Sequence, residues 1–383
     1  MSQKLYYLVK RKDKLTEGKP TYYCRFRDEN GTIGTWKSTG ENSKTRAELW
    51  AIGRIKKGET TSKENITFGL FSLGWWTPDC LYTKRKRARG KSVSPAYADV
   101  QRIYLNKHIM PFFKDIKLAR INQPMIDRWL MGLNKKGTIS GTTINHCLTV
   151  LRIMMKEAVR RQLITIDPCA LVEQLKETPK EKTILSLDEV KAIFKLNDID
   201  RIWGGDLTNY TLNLLAAMTG MRMGEVQALQ IQHIHSDCVD VVFAWSRNYG
   251  LKEPKWNSTR IIPITKTLSD RLQELIQDSP YTEPEDFIFY GHERNMPIPH
   301  KDILTALYKA FEAIKITPDE RKKRNVTFHS WRHLFNSLAR SRMPDYKVQK
   351  ITGHRTIEMT DHYTHASLED LREVLDLQNE MIR

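Results

Sequence analysis

The sequence predicts an α+β chain of three domains: a small three-stranded antiparallel sheet with one helix, a helical bundle, and a mainly helical C-terminal domain that contains a small antiparallel sheet. Three observations predict this architecture. The chain has 383 residues, and a domain usually holds roughly 100 to 200. Strand patterns fill residues 4–40, and helical patterns dominate from residue 66 onward. A polar, proline-bearing stretch places a domain boundary near residues 175–183.

The chain is strongly basic, with 62 Lys and Arg against 45 Asp and Glu and a net charge of +17. Such a positive field favours a polyanionic partner, and nucleic acid is the first candidate. The 40% hydrophobic and 9% aromatic content can fill real cores, which excludes a disordered basic tail. We expect no signal peptide, no membrane helix and no membrane partner. Five scattered cysteines without a CxxC pair predict reduced thiols in a cytoplasm rather than a zinc ribbon.

The first block alternates in three strand-like runs, and the Asn-Gly pair at residues 30–31 offers the backbone freedom of a tight hairpin turn. A run with helical spacing follows and predicts a helix across one face of the sheet. Its apolar residues are Ala47, Trp50, Ala51 and Ile55. A three-stranded sheet can lie in the DNA major groove, and a merely solvated basic sheet is the alternative. The residues expected near its exposed face are Arg25, Arg27 and Lys37.

Residues 66–170 follow a helical pattern broken by glycine and proline turns, which predicts a bundle. A run of basic side chains lies inside this block. Such a run is usually a solvated loop, but beside a bundle it can clamp a phosphate backbone without reading the base sequence. The candidates are Lys84, Arg85, Lys86, Arg87, Arg89 and Lys91.

The third block carries four groups suited to phosphate chemistry, and the first is Arg222 with Glu225. One apolar helix ends at Thr219-Gly220 and another begins, so Arg222 is expected near a helix N-terminus, which favours an anion. An arginine can donate two parallel hydrogen bonds to phosphate oxygens, and Glu225 on the same helix face would hold its geometry. A capped helix with a surface ion pair is the alternative.

The second group is a lysine in the connection between two strand patterns. A mobile lysine that reaches a leaving oxygen can act as a general acid, although most loop lysines are simply solvated. Lys255 and Lys252 both fit this description.

The third group is His329 with Arg332, three residues apart on one helix face. One side chain can exchange protons while the other neutralises the same phosphate. His329 and His333 have the i, i+4 spacing of zinc ligands, but the Glu of HExxH and a third ligand are missing, so we expect no metal site.

The fourth group is a Gly-His turn at His354 followed by Tyr363 near the end of the chain. A tyrosine can attack phosphorus as a nucleophile, and a half-buried aromatic side chain is the alternative.

In this order and with these spacings, the residues resemble the tyrosine recombinase family of phage-type integrases. The elements are Arg, Glu, Lys, His-x-x-Arg, Gly-His and a tyrosine nine residues after that histidine. Lys255 is favoured over Lys252 because it lies eight residues before Pro263, as the family's lysine does before its strand proline. Thr352 departs from the Leu that most members carry before Gly-His.

The resemblance implies a mechanism. The tyrosine would attack the scissile phosphate, form a 3′-phosphotyrosyl link and free a 5′-hydroxyl, so that neither ATP nor a metal nor another cofactor is required. Cations would stabilise the charge on the non-bridging oxygens. The implied catalytic set is Tyr363 as nucleophile, Arg222, Arg332 and His354 on the phosphate oxygens, Lys255 as general acid and His329 in proton transfer, with Glu225 in support.

The resemblance also implies a division of labour: residues 1–62 as an arm-type DNA-binding domain, 66–175 as a helical core-site DNA-binding domain, and 183–383 as the catalytic domain. The partners would be double-stranded DNA with core and arm-type sites, three further protomers in a homotetramer on paired sites, and accessory DNA-bending or directionality factors. An integrase of a phage or conjugative transposon would work at the nucleoid in the bacterial cytoplasm.

Three other functions have weaker support. A type IB topoisomerase-like nicking-closing enzyme uses the same constellation, but the additional N-terminal DNA-binding block favours strand exchange. A non-catalytic basic DNA-binding protein would have no reason to hold all six elements. A metal-dependent nuclease would place clustered carboxylates beside its His and Arg residues, and this sequence does not.

The residues after Tyr363 carry an apolar stripe at helical spacing. Such a helix can pack on its own domain, but the resemblance favours docking on a neighbouring protomer, which would couple the tyrosine to tetramer assembly. The stripe consists of Leu368, Leu371, Val374, Leu375 and Met381.

Overall fold

The chain forms two compact units, Met1–Pro179 and Lys180–Arg383. The computed structural model describes residues 6–12, 20–26, 35–56, 66–91, 93–176, 184–255, 258–353 and 371–382. The division lies within the polar stretch that the sequence marks as a boundary, and the first unit holds both the sheet block and the helical block. No helix in these described ranges is long and apolar enough to cross a membrane.

A three-stranded antiparallel sheet opens the first unit, as predicted. Its strands, in spatial order, are β1 (Tyr6–Lys12), β2 (Pro20–Phe26) and β3 (Lys37–Ser38). Helix α1 (Lys44–Lys56) covers one face, where Cys24 and Phe26 pack against Ala51 and Ile55. These strand residues are two apart, so they point to the same face. The predicted Asn-Gly turn at 30–31 lies outside the described residues.

The rest of the first unit is helical, which confirms the predicted bundle. Its helices are α2 (Phe68–Ser72), α3 (Leu81–Ala88), α4 (Pro95–Tyr104), α5 (Met110–Phe113), α6 (Gln123–Lys136) and α7 (Gly141–Arg160). Side chains of Ser94, Asn122 and Ser140 cap α4, α6 and α7 by accepting a first-turn N–H. Met154 and Met155 of α7 are fully buried, so this pair fills the core.

The second unit is a mainly helical domain with small antiparallel sheets, again as predicted. Its helices are α8 (Leu187–Ile193), α9 (Ile199–Trp203), α10 (Leu207–Thr219), α11 (Met223–Gln227), α12 (Lys266–Gln277), α13 (His300–Ala313), α14 (Pro318–Arg324), α15 (His329–Arg340), α16 (Asp345–Thr352) and α17 (Val374–Ile382). Its strands are β4 (Cys238–Val241), β5 (Ala244–Ser246), β6 (Gly250–Lys252) and β7 (Arg260–Pro263). Strand β4 pairs with β7 and β5 with β6, so one hairpin lies in sequence between two paired strands.

Helix α10 forms the centre of this unit, because every residue from 209 to 219 is buried. A helix that is apolar on all sides is stable only when other elements surround it. Trp331 of α15 donates from Nε1 to Asn213 Oδ1 at 3.0 Å, so the two helices are joined by a buried hydrogen bond. The turn that follows α10 carries the candidate residue Arg222, and the N-terminal half of α15 carries His329 and Arg332.

The C-terminal helix α17 packs on its own domain, and the expectation that it docks on a neighbouring protomer is wrong for this structure. Leu371, Val374 and Met381 of the predicted stripe are buried in the core of the second unit, whereas Leu375 is only partly buried. Three hydrogen bonds of Gln378 hold α17 in this position. Its buried amide donates to Met218 O and Pro263 O at 3.0 Å each and accepts from Thr265 N at 2.9 Å. Leu368 lies outside the described residues.

Candidate active site

Arg222 and Glu225 form an ion pair at the start of α11. Helix α10 ends at Gly220, whose φ of +65° suits glycine, and a Cβ there would lie 2.7 Å from the Phe335 ring. The chain then turns, and Arg222 becomes the N-cap residue of α11. Its backbone N–H donates to Glu225 Oε2 at 2.9 Å and its Nη1 donates to Oε1 at 2.7 Å. Glu225 therefore fixes both the main chain and the side chain of Arg222.

Arg332 lies beneath this pair, on α15, and is only 2% exposed. Its Nη1 donates to Gly220 O at 2.7 Å, and its Nη2 donates to Thr352 O. Burial, with a further contribution from the charge of Arg222, lowers the pKa of Arg332 to about 9. The guanidinium is still protonated at pH 7, so this site keeps a buried positive charge.

The C-terminal end of α16 binds three arginines through three consecutive carbonyl groups. These carbonyls carry the partial negative charge of a helix C-terminus, so guanidinium groups are favoured there. The pairs are Arg260 Nε to Ile351 O at 2.6 Å, Arg332 Nη2 to Thr352 O, and Arg222 Nη2 to Gly353 O at 3.3 Å. The helix end that immediately precedes His354 is therefore held by all three guanidinium groups.

Glu225 is the carboxylate that balances part of this charge. Burial alone would raise the pKa of Glu225, but the guanidinium of Arg260, followed by that of Arg222, outweighs it and holds the pKa below its usual value. Among the residues that the structure describes, Glu225 is the carboxylate that pairs with Arg222 and Arg260, so this group of three arginines and one carboxylate has a net positive charge. Phosphate is a ligand that guanidinium groups bind through paired N–H···O hydrogen bonds.

The two candidate lysines lie in different surroundings. Lys255 is exposed, in the connection between β6 and β7, and its carbonyl accepts from Ser258 Oγ at 2.9 Å. Lys252 is the last residue of β6, opposite Ala244. Strand pairing with Ala244 therefore fixes the backbone of Lys252, whereas Lys255 lies beyond the end of β6.

His329 is the exposed first residue of α15, one turn before the buried Arg332. Its ring meets that of His333 edge to face, with centroids 4.7 Å apart. His354 and Tyr363 lie outside the described residues.

Among the residues that the structure describes, one group could be considered for a metal: His235, Cys238 and Asp240, whose ligand atoms lie within 4.8 Å of one another. His235 Nε2 is already 2.9 Å from Asp240 Oδ2. Burial, with the nearby charge of Asp237, raises the pKa of the Cys238 thiol to about 11. This group of three residues was not predicted from the sequence, and we assign no metal to it.

The predicted basic run forms one wall of a pocket between α3 and α7. Arg85 forms a structural ion pair with Glu157, which is only 3% exposed. Lys156 and Arg160 of α7 also line this pocket, and they were not predicted from the sequence. The one signal for them in the sequence is a spacing of four residues, which places both side chains on the same helix face. The other cations lining the pocket are Lys86, Arg89 and Lys91. Lys84 and Arg87, of the same run, are exposed.

The open face of the N-terminal sheet carries stacked arginines. The guanidinium groups of Arg11 and Arg25 lie 4.7 Å and 4.6 Å from the ring centroid of Trp36. Lys37 does not share this face, because it pairs with Cys24, whose side chain points toward α1. The expectation that Lys37 lies on the exposed face is therefore wrong, although its side chain is exposed at the sheet edge. Arg27 lies outside the described residues, and Arg11 was not among the residues predicted from the sequence.

Comparison with known protein families shows two matches in the expected order. The model of the "Phage integrase, N-terminal SAM-like domain" matches residues 84–134, and that of the "Phage integrase family" matches residues 183–369. The chain belongs to the phage integrase family, the tyrosine recombinases. It is a DNA strand-transferring enzyme of that class.

Curated tyrosine recombinases match most of the chain at low identity. Tyrosine recombinase XerD of Staphylococcus aureus is 25% identical over 258 residues, which cover 66% of this chain and 81% of that protein. Tyrosine recombinase XerC of Haemophilus ducreyi is 24% identical over 262 residues, which cover 67% of this chain and 79% of that protein.

Solved integrase structures share the fold. The Tn1549 transposon integrase in complex with a circular intermediate DNA gives a TM-score of 0.60 at 20% identity, covering 76% of this chain and 96% of that one. A lambda integrase tetramer bound to a Holliday junction gives 0.54 at 16% identity, covering 92% of this chain and 93% of that one. The lambda comparison therefore includes the N-terminal block, which the two family matches leave out.

Proposed function

We propose that this tyrosine recombinase is a site-specific integrase that integrates and excises a mobile element by cutting and rejoining DNA through a 3′-phosphotyrosyl intermediate. The observation that carries the proposal is the group of three arginines around Glu225, fixed to the helix end that immediately precedes His354. Such a group holds surplus positive charge before any phosphate arrives, which is the preorganisation that phosphoryl transfer requires.

In the proposed reaction, the phenolic oxygen of Tyr363 attacks the scissile phosphorus and the bond from phosphorus to the 5′-oxygen breaks. Lys255 gives the departing oxygen its proton. A 5′-hydroxyl of the partner strand later attacks the phosphotyrosyl bond and releases Tyr363, so the number of ester bonds is conserved and no metal or nucleotide cofactor is consumed.

The arginines have distinct places in this proposal. The side chain of Arg222 is 24% exposed, so its guanidinium is the more accessible one for a non-bridging oxygen. Arg332 is nearly fully buried behind it, and contributes its charge at short range. Glu225 supports Arg222, His354 joins the phosphate ligands, and His329 assists proton transfer.

DNA would be held by surfaces outside the catalytic residues. In this proposal, the phosphate backbone of the core-site DNA binds in the pocket between α3 and α7. The cations that would contact it are Lys86, Arg89, Lys91, Lys156 and Arg160. The arm-type site is assigned to the open face of the N-terminal sheet, where Arg11 and Arg25 flank Trp36. The corresponding domains are residues 66–175 and 1–62, with catalysis in residues 183–383.

Strand exchange between two sites requires more than one active protomer, and we propose a homotetramer on paired DNA sites. The tetrameric lambda integrase on a Holliday junction supports this assembly. Accessory bending or directionality factors, and activity at the bacterial nucleoid, belong to the same proposal.

The test is covalent capture. The protein is incubated with DNA from its own genomic neighbourhood that carries random nicks, and the DNA linked to it is sequenced after denaturation. We expect one or a few defined sites, in the presence of EDTA as well as of Mg²⁺. Tyr363→Phe should form no adduct, whereas the matched control Tyr346→Phe, at an exposed position on α16, should form normal amounts. Adduct formation by Tyr363→Phe would contradict the proposal.

A further inference from the structure

Arg260, the first residue of β7, is a buried arginine that was not among the residues predicted from the sequence. Its side chain is only 6% exposed. Nη2 donates to Glu225 Oε2 at 2.7 Å, Nε donates to Ile351 O at 2.6 Å, and Nη1 donates to Ser258 O at 3.2 Å. These donors point at protein acceptors, so Arg260 is placed to act through its neighbours rather than on DNA.

The contacts of Arg260 join three segments of the site. Through Glu225 they reach Arg222, because both arginines donate to the same carboxylate. Through Ile351 they reach the C-terminal end of α16. Through Ser258 they reach the loop of Lys255, whose carbonyl accepts from Ser258 Oγ at 2.9 Å.

Gly353 shows how closely the loop and the helix end are packed. Its φ is +64°, and a Cβ at this position would lie 2.9 Å from Ser258 Oγ and 3.2 Å from Arg260 Nη1. Any side chain larger than hydrogen would push these groups apart. Ser258, Gly353 and the guanidinium of Arg260 therefore lie close together.

We infer that Arg260 is a positioning residue for strand transfer. It holds Ser258, and through Ser258 the backbone of Lys255, against the end of α16, so that the general acid keeps its place relative to Arg222. The inference rests on the function proposed above. A displacement of about 1 Å at a reacting group can cost about 10²-fold in rate, so removal of the Arg260 side chain should slow cleavage strongly.

The experiment compares Arg260→Met and Arg260→Lys with the wild-type protein on two nicked-site substrates, one normal and one with sulfur replacing the bridging 5′-oxygen. A thiolate leaves without needing a proton, so the sulfur substrate removes the need for a well-placed general acid. We expect Arg260→Met to lose about 10²-fold in single-turnover adduct formation on the oxygen substrate. Most of that loss should disappear on the sulfur substrate, with DNA affinity unchanged within about threefold.

Arg260→Lys should fall between wild type and Arg260→Met, because its amine keeps the charge but cannot span both Glu225 and Ile351. Lys255→Ala is the reference for sulfur rescue. The double variant Arg260→Met/Lys255→Ala should cleave the oxygen substrate no more slowly than Lys255→Ala alone, because a residue that acts by placing a lysine has no effect once the lysine is absent.

Arg324→Met is the matched control. Arg324 is 16% exposed and binds Glu189 and Glu320, so its loss also breaks a partly buried ion pair in the same unit. It should lower the thermal midpoint without any difference between the two substrates.

The inference would be overturned if Arg260→Met lost equal rates of adduct formation on the oxygen and sulfur substrates. It would also be overturned if the rate losses of Arg260→Met and Lys255→Ala were additive, or if the sulfur substrate rescued neither variant. Failure of both Arg260 variants to fold would also overturn it, because Arg260 would then serve stability alone. Failure of the proposed function gives a different result: the wild-type protein would form no adduct through Tyr363 on either substrate.

Discussion

Glu225 shows how one buried residue controls the charge of the site. It is 1% exposed and accepts hydrogen bonds from Arg222 and Arg260. Removing one partner of a buried ion pair typically costs about 3–5 kcal/mol, since the remaining charges lose their compensation. We expect Glu225→Gln to lower the free energy of unfolding at pH 7 by an amount of this order, as measured by urea denaturation.

The same carboxylate predicts a pH dependence. The folded-state pKa of Glu225 lies below its usual value. Its contribution to stability is therefore complete above the unfolded pKa of about 4.3, and is lost as the pH falls through the folded value. The stability difference between wild type and Glu225→Gln should shrink below that pH, while Glu312→Gln, an exposed control on α13, should show little difference at any pH. A gap that stays constant into acid would contradict this assignment.

Arg332 should matter more for cleavage than for binding. Its guanidinium is buried between Gly220 O and Thr352 O, whereas DNA affinity is spread over many phosphate groups. Arg332→Ala and Arg222→Ala should each lose about 10²- to 10³-fold in adduct formation, with affinity nearly unchanged by gel shift. Arg340→Ala, at the exposed end of α15, is the control. Equal losses of binding and cleavage in the first two variants would mean that these arginines are ordinary backbone contacts.

At the scale of elements, the pocket between α3 and α7 contains one cation that is paired within the fold and several that are exposed. Lys156 and Arg160 are exposed on α7, while Arg85 pairs with the buried Glu157. We expect the double variant Lys156→Ala/Arg160→Ala to weaken core-site binding. The slope of log affinity against log salt should fall by about 0.9 for each phosphate that the variant no longer neutralises.

Arg85→Ala provides the contrast in this pocket. It should mainly lower the thermal midpoint, because Glu157 keeps fewer partners in a buried position. If Arg85→Ala instead reduces the salt dependence as strongly as the α7 variant, the division between the two roles is incorrect.

Elements could be predicted from local patterns, but the contacts between them could not. The strand alternation around Cys24 and the helical spacing of Ala51 and Ile55 suffice for the sheet and α1. The face of Lys37 depends on its register with Cys24, which local alternation leaves open. Arg260 was missed because its partner Ile351 lies 91 residues away, although Arg260 stands three residues before the strand proline Pro263.

At the scale of the whole molecule, the C-terminal helix α17 belongs to the core of the second unit. Leu371, Val374, Leu377 and Met381 are buried there, and Gln378 satisfies two carbonyls and one N–H. Truncation after residue 366 should therefore lower the thermal midpoint sharply and favour aggregation, rather than leave a folded protein that only assembles poorly. Differential scanning calorimetry would decide it, and an unchanged midpoint would mean that α17 adds nothing to the fold.

Gln378→Ala tests the same packing without a truncation. The variant leaves the carbonyls of Met218 and Pro263 without their donor and Thr265 N without its acceptor. Each buried polar group left unsatisfied costs about 1–3 kcal/mol. Asn379→Ala, on the neighbouring position of the same helix, is the control and should cost much less.

The N-terminal sheet block and the helical bundle have separate apolar clusters within the first unit. Cys24, Phe26, Ala51 and Ile55 form the first, and the second is built from α2 to α7. Leu70 of α2 packs against both, so removal of the sheet block would uncover it.

We expect deletion of residues 1–62 to leave a protein that still forms the Tyr363 adduct on a core site, because none of the six catalytic elements lies in the deleted segment. The deletion should abolish tight binding to a distal arm-type site, and Leu70→Ser should improve the solubility of the shortened protein by removing its uncovered apolar side chain. Binding to separate core and distal duplexes, taken from the captured sequences, measures both effects. In the full-length protein, Arg11→Ala/Arg25→Ala should lose distal binding alone, which distinguishes direct contact from misfolding. Loss of core cleavage in a folded truncation would instead place the N-terminal block within the catalytic assembly.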